Sequence, residues 1–253
     1  MSVLSLQKSV IYGPVRSRRL GASLGVNLLP SARKFCSYNC VYCQYGWTDR
    51  HGLEIQEGAE LPSVADVEAA VTGALSKGPR IDYVTLAGNG EPTLHPGFAE
   101  VVDLVNRLRD RYAPDARSAV LSNASTVHRP EIRHALGKLD APIMKLDVGT
   151  QRCWRRFNRP CPGIEWKGVV EGLEALDRPV IQALFAEGEH GNADKEEIAA
   201  WVALLKRIRP AFVQVYSLDR PTPARALRPV ERSGLQTVAR QAKQGAGVSV
   251  GVF

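Results

Sequence analysis

The sequence predicts an α/β fold, a partial open barrel of six βα units. Short runs rich in β-branched and apolar residues alternate along the chain with longer segments of helical spacing. Successive parallel strands need crossovers of that kind, and right-handed crossovers curl the sheet toward a barrel. Six units are fewer than the eight that close a complete barrel, so the expected barrel is open.

In chain order, residues 1–20 read as an extended, Arg-rich lead-in. The expected strands are Ala22–Leu29, Tyr83–Ala87, Ser118–Ser122, Ile143–Val148, Val180–Phe185 and Phe212–Leu218. Val64–Leu75 has Ser63 as a candidate N-cap and places Val67, Ala70, Val71, Ala74 and Leu75 on one face, the mark of an amphipathic helix. Phe98–Arg111, Glu165–Leu176 and Lys195–Ile208 repeat the pattern, the last with Asp194 as its cap and Pro210 as its stop. Another helix starts near Arg129. One domain is expected over residues 1–253, with the six units in 22–218 and a C-terminal helix and tail in 229–253; Gly245–Phe253 is too short to add a unit.

Hydrophobic residues make up 44% and charged residues 23% of the 253, which fits a packed globular core and excludes a disordered chain. The first residues lack the basic, apolar and small-residue order of a secretory signal, and no window approaches about eighteen apolar residues. A cytoplasmic protein without membrane contact is expected. The net charge is +7 and unevenly placed: residues 1–50 hold seven Lys or Arg against the single acid Asp49. Arg152, Arg155, Arg156 and Arg159 form a second knot. Such excess suits either a solubilising surface or a site for an anionic substrate or RNA, and charge alone does not separate them.

The segment FCSYNCVYCQYG puts Cys36, Cys40 and Cys43 in Cys-x3-Cys-x2-Cys spacing directly after the first strand. Three thiolates this close in sequence can wrap one iron–sulfur cluster, and because a four-iron cubane normally takes four cysteines, one iron keeps an open coordination position. A structural zinc site is the alternative, with His51 or a distant cysteine as fourth ligand. Cys153 and Cys161, seven residues apart, make no second pair of zinc-knuckle spacing. They read as packed or incidental thiols, or as thiols with an accessory redox or cluster role.

This spacing, with the aromatic Tyr42 just before the third cysteine, resembles the radical S-adenosylmethionine superfamily. The resemblance implies a TIM-like partial (βα)6 barrel, a [4Fe–4S] cluster on Cys36, Cys40 and Cys43, and S-adenosylmethionine chelated through its amino and carboxylate groups at the open iron. One electron from the cluster then releases a 5′-deoxyadenosyl radical; the cofactor carries the hard chemistry while the protein orients it and excludes water. Gly88, Asn89, Gly90, Glu91 and Pro92 match the family's Gly-Gly-Glu-Pro turn, with Asn89 replacing a glycine. Their glycines would let the backbone approach the cofactor and their carboxylate would suit its ammonium group. Ser122 and Asn123 end the third strand, where they would meet the cofactor or cap the next helix. Lys145 and Asp147 share one side of the fourth strand; by resemblance Lys145 neutralises the cofactor carboxylate and Asp147 accepts from its ribose, the alternative being a mutual salt bridge. Gln182 and Gln214 line a cavity or a solvated strand edge.

Within the superfamily, GPVRSRRLGASLGVNLLP, CVYCQYG, KLDVGT, RRFNRP and QVYSLDRP resemble the bacterial branch grouped with the wyosine tRNA-base synthases, over roughly residues 10–223. Those synthases carry a second cluster on upstream cysteines, and none precedes Cys36 here, so their reaction does not carry over. The function expected is hydrogen abstraction from an anionic substrate, a small molecule or a tRNA nucleotide, with Arg16, Arg18, Arg19 and the Arg155–Arg159 group near the mouth. Flavodoxin or ferredoxin would serve as reductant. The alternatives are an activating enzyme for a glycyl-radical partner and a non-catalytic, metal-stabilised RNA-binding module. No residue stands out as a catalytic acid or base.

Overall fold

The structure, a computed structural model, describes residues 3–55 and 60–253. Eight strands form one sheet whose order follows the chain: β1 (Ile11–Ser17), β2 (Gly21–Val26), β3 (Tyr83–Leu86), β4 (Arg117–Ser122), β5 (Ala141–Lys145), β6 (Val180–Leu184), β7 (Phe212–Tyr216) and β8 (Val250–Val252). From β2 onward every neighbouring pair is parallel, as sequential βα crossovers require.

All six expected strands are present, each within a few residues of its expected limits. Two further strands extend the sheet. Ile11–Ser17 in the lead-in folds back antiparallel on β2, and the C-terminal tail adds β8, which pairs Val250 with Val213. The tail can do so because α7 (Arg232–Ala246) returns the chain to the sheet edge, so three residues suffice where a full unit was thought necessary.

The helices are α1 (Val64–Leu75), α2 (Phe98–Tyr112), α3 (Pro130–Leu136), α4 (Gln151–Phe157), α5 (Trp166–Glu174), α6 (Lys195–Ile208) and α7. Ser63 and Asp66 form a reciprocal capping box at the start of α1, and Asp194 caps α6 by accepting from the Glu197 N–H. Arg209 takes the left-handed conformation that closes α6 just before Pro210. The helices bury Val67, Val101, Leu136, Leu173, Trp201 and their neighbours against the outer side of the sheet, leaving the inner side to line a cavity.

Candidate active site

The inner side encloses a cavity of about 520 Å³, lined from β1 and β2 on one edge to Lys145, Gln182 and Tyr216 on the other. That volume is in the range, roughly 300–1,000 Å³, usual for small-molecule sites. The sheet therefore curls until β1 and β7 share one chamber. Arg18, in the β1–β2 turn, bonds Asp219, beyond β7, at 2.7 Å across the seam.

The cysteine loop leaves the end of β2 and is anchored on both sides. On one side Phe35 N donates to Asn89 O at 3.0 Å and Glu91 N donates to Phe35 O at 3.2 Å. On the other, Asn39 and Val41 N–H groups reach the carbonyls of Asn158 and Phe157 at the end of α4. Cys36, Cys40 and Cys43 all line the cavity, the first two buried and the third partly exposed. Two of the sulfurs already receive N–H donors: Asn123 Nδ2 lies 3.5 Å from Cys36 Sγ, and Asn158 Nδ2 lies 3.6 Å from Cys40 Sγ. Burial pushes the Cys40 thiol up to about 11, and Cys36 higher still, so metal must displace protons to bind.

Lys34 is buried beside the trio, its Nζ donating to Gly46 O at 2.7 Å. Burial alone would lower its pKa, but Cys43 and Cys36 outweigh that and raise it. A buried ammonium next to three thiols offsets part of the negative charge that a thiolate-bound cluster accumulates. Among the described residues no three His, Cys, Asp or Glu groups converge tightly enough to hold a single metal ion. His51 is engaged with the Ser37 carbonyl, 3.2 Å from its Nε2.

The Gly88–Glu91 turn follows β3 against the cysteine loop. A Cβ on Gly90 would overlap the Phe35 carbonyl and one on Gly88 would overlap the Asn27 side chain, so both positions demand glycine for packing. The role expected of them, admitting the backbone to a ligand, is joined by this internal one. Asn89 does not face the cavity: its side chain accepts from Gln7 N and donates to Gln7 O and Pro30 O, pinning the lead-in. Glu91 lines the cavity but is heavily engaged already, since Thr93 N, Thr93 Oγ1, Ser122 Oγ and Asn123 N all donate to its carboxylate. Burial nevertheless raises its pKa, outweighing those donors. Ser122 and Asn123 also line the cavity, joined to Glu91 and Cys36.

Tyr42 and Lys145 face the cavity and Asp147 stands behind them. Asp147 accepts from Tyr42 Oη, from Asn158 Nδ2 at 2.8 Å and from Leu184 N at 2.9 Å, and it is buried behind the residues that line the cavity. Lys145 Nζ is 2.8 Å from Tyr216 Oη, 3.7 Å from Asp147 and 4.9 Å from the Tyr42 ring centroid. The salt bridge that the sequence offers as the alternative to a cofactor role is present, and Lys145 lines the cavity as well. Burial would lower the Lys145 pKa, yet Asp147 and Tyr216 hold it above its ordinary value.

Arg16, Arg18 and Arg19 line the cavity, whereas Arg155, Arg156 and Arg159 do not. Arg156 instead bonds Gly191 O at 2.7 Å, and Arg159 stacks on Trp47. Cys153 and Cys161 are buried off the cavity, and burial pushes the Cys153 thiol up to about 12. Sequence reasoning missed Lys34, Tyr216 and Asn158; the last lies inside the RRFNRP phrase, whose function as a clamp on Cys40, Tyr42 and Asp147 no spacing rule exposes. No helix among the described residues is long and apolar enough to cross a membrane.

Several known proteins are similar to this chain. A family model described as the Radical SAM superfamily matches residues 33–178, more than half of the chain. A UPF0026 protein of Methanocaldococcus jannaschii is 32% identical over 226 residues, which are 87% of this chain and 67% of that protein. One from Synechocystis sp. is 30% identical over 214 residues, 84% of this chain and 77% of the relative. Among solved structures, TYW1 with a lysine-pyruvate adduct bound matches with a TM-score of 0.61 and 18% identity, covering 88% of this chain and 73% of that one. A radical SAM methyltransferase from Sphaerobacter thermophilus matches with a TM-score of 0.63 and 16% identity over 91% of this chain and 65% of that one. Likeness at such identity carries the fold, while the family match and the closer sequences carry membership: the chain belongs to the radical S-adenosylmethionine superfamily, whose enzymes use a [4Fe–4S] cluster and S-adenosylmethionine.

Proposed function

We propose that Cys36, Cys40 and Cys43 bind the cluster, that Tyr42, Gly88, Gly90, Glu91, Ser122, Asn123 and Lys145 surround S-adenosylmethionine, and that the enzyme abstracts hydrogen from an anionic substrate. The observation that carries this reading is that all these residues, from three successive strand ends and the cysteine loop, line one cavity together with Arg16, Arg18 and Arg19. When bound, the cluster and cofactor supply a 5′-deoxyadenosyl radical. The chain's own part is to hold and shield. Asn123 and Asn158 direct N–H groups at two sulfurs, and Lys34 offsets charge beside them. Lys145 offers an ammonium to the cofactor carboxylate, and Asn89 and Asp147 act from behind the wall by fixing the lead-in and Tyr42. A small acidic electron carrier, flavodoxin or ferredoxin, is the reductant this reading requires.

Purification without oxygen tests it. A brown protein with about four irons that forms 5′-deoxyadenosine on reduction with S-adenosylmethionine is expected; a colourless zinc protein overturns it. For the substrate, tRNA binding that falls steeply with salt selects RNA, and salt-independent or absent binding leaves a small anion.

A further inference from the structure

We propose that Arg19, held by Gln182 over the Tyr216 ring, seats a carboxylate or phosphate of the substrate in this cavity. The inference rests on the reading of this cavity as the chamber of a radical enzyme.

The placement follows from topology. Arg19 sits in the turn that precedes β2, whereas the cysteine loop follows the other end of that six-residue strand. Its side chain crosses to the last strands. The guanidinium lies 4.3 Å from the Tyr216 ring centroid, and Gln182, its amide oxygen turned as these neighbours dictate, accepts from both terminal nitrogens of Arg19.

Arg19, like Arg16 but unlike Arg18, has no countercharge, and what distinguishes it is its seat on Tyr216 beside Gln182. Arg18, one residue earlier, is paired with Asp219 at 2.7 Å, but Arg19 has no carboxylate within 4.0 Å among the described residues. A guanidinium drawn out of bulk water onto an aromatic face, with an amide as its polar partner, keeps N–H donors for an oxyanion. Lys145 shares the same phenol, its Nζ on Tyr216 Oη. Asp147, the carboxylate nearest to Lys145, is occupied by Tyr42, Asn158 and Leu184. Lys145, Gln182 and Gln214 are paired in register across β5, β6 and β7, so their side chains leave the sheet at one level and on one face. Gln214 keeps its buried Oε1 without a donor. A guanidinium that lines the cavity without a countercharge, seated on Tyr216 and steadied by Gln182, describes a place for a ligand bearing an oxyanion.

The test uses cluster-loaded protein in chloride buffer, titrated calorimetrically with inorganic phosphate, with succinate and with S-adenosylmethionine. Wild type should bind at least one of the two anions saturably, phosphate marking a phosphorylated substrate and succinate a carboxylate. R19Q should weaken that binding about tenfold or more, the scale of a lost charge-assisted hydrogen bond, while S-adenosylmethionine binding stays within about twofold. R19K, which keeps the charge and the fold but loses the planar fork, should weaken it less, and R240Q on the exposed face of α7 should match wild type. Neither anion binding to wild type, or R19Q and R19K both binding as wild type does, overturns the assignment. Loss of S-adenosylmethionine binding together with anion binding in R19Q also overturns it, by placing Arg19 in the cofactor site. If wild type binds an anion through Arg19 but no S-adenosylmethionine, the cofactor reading fails and the anion seat stands.

Discussion

The two walls of the cavity are built on different principles. On the cysteine wall almost every polar group already has a protein partner: Glu91 takes four donors, Asn89 clamps Gln7 and Pro30, and Asp147 is filled by Tyr42, Asn158 and Leu184. On the opposite wall Arg19 lines the cavity with no carboxylate partner among the described residues. A wall that completes itself can hold a cluster and cofactor in fixed geometry, since preorganised groups do not rearrange on binding. A wall left incomplete is finished by its ligand, and buried polar groups without partners are the ones that demand a matching group.

The contrast can be broken first at the cysteines. Cys40→Ala should abolish bound iron and 5′-deoxyadenosine formation together, as two remaining thiolates do not secure a cubane; iron analysis and product chromatography read both. Next is the hub of the same wall. Glu91→Ala leaves four donors without their acceptor, two of them backbone N–H groups, and should cost about 3 kcal/mol or more in thermal or denaturant unfolding. A variant that melts like wild type and merely binds less S-adenosylmethionine would show Glu91 to be ligand rather than strut.

Much of this was legible in the chain. Cysteine spacing, the glycine turn and the strand ends each announce themselves locally, because a turn residue or a thiol works through its immediate neighbours. Alternating apolar runs likewise placed all six central strands. What stayed hidden depends on contacts between residues distant in sequence. Asn158 reaches Cys40 from 118 positions away, and Arg19 meets Gln182 and Tyr216 only because the sheet curls its two edges together. The orientation of Asn89 was equally beyond reach, since the residue at 89 could face either ligand or lead-in until the lead-in itself was seen to fold as β1. β8 was missed for another reason: three residues carry no periodicity, and pairing with β7 decides their conformation.

A smaller effect is expected at the clamp. Asn158→Ala removes an N–H from Cys40 Sγ and a partner from Asp147, and should lower the reduction potential of the cluster, because hydrogen bonds to sulfur favour the more negative, reduced state. Redox titration followed by electron paramagnetic resonance reads the shift; an unchanged potential would confine Asn158 to packing. The smallest effect lies away from both walls. Asp140 accepts from Ser118 N at 2.7 Å and pairs with Arg109, tying β4 to α2. Partial burial would raise its pKa, but the Ser118 N–H and Arg109 outweigh that and hold it below the ordinary value. Its contribution is therefore present above the ordinary carboxylate range and lost as pH falls through the depressed value. Asp140→Ala should cost about 1 kcal/mol near neutral pH, with the difference from wild type shrinking in acid and both walls keeping their ligands.

The claim that the cysteine wall is a finished seat for cluster and cofactor is tested most directly by electron paramagnetic resonance of the reduced, anaerobically purified protein. The account predicts the signal of a reduced [4Fe–4S] cluster whose shape changes when S-adenosylmethionine is added, in wild type and equally in R19Q. A signal indifferent to S-adenosylmethionine, or no cluster signal in a protein that holds zinc, would contradict it.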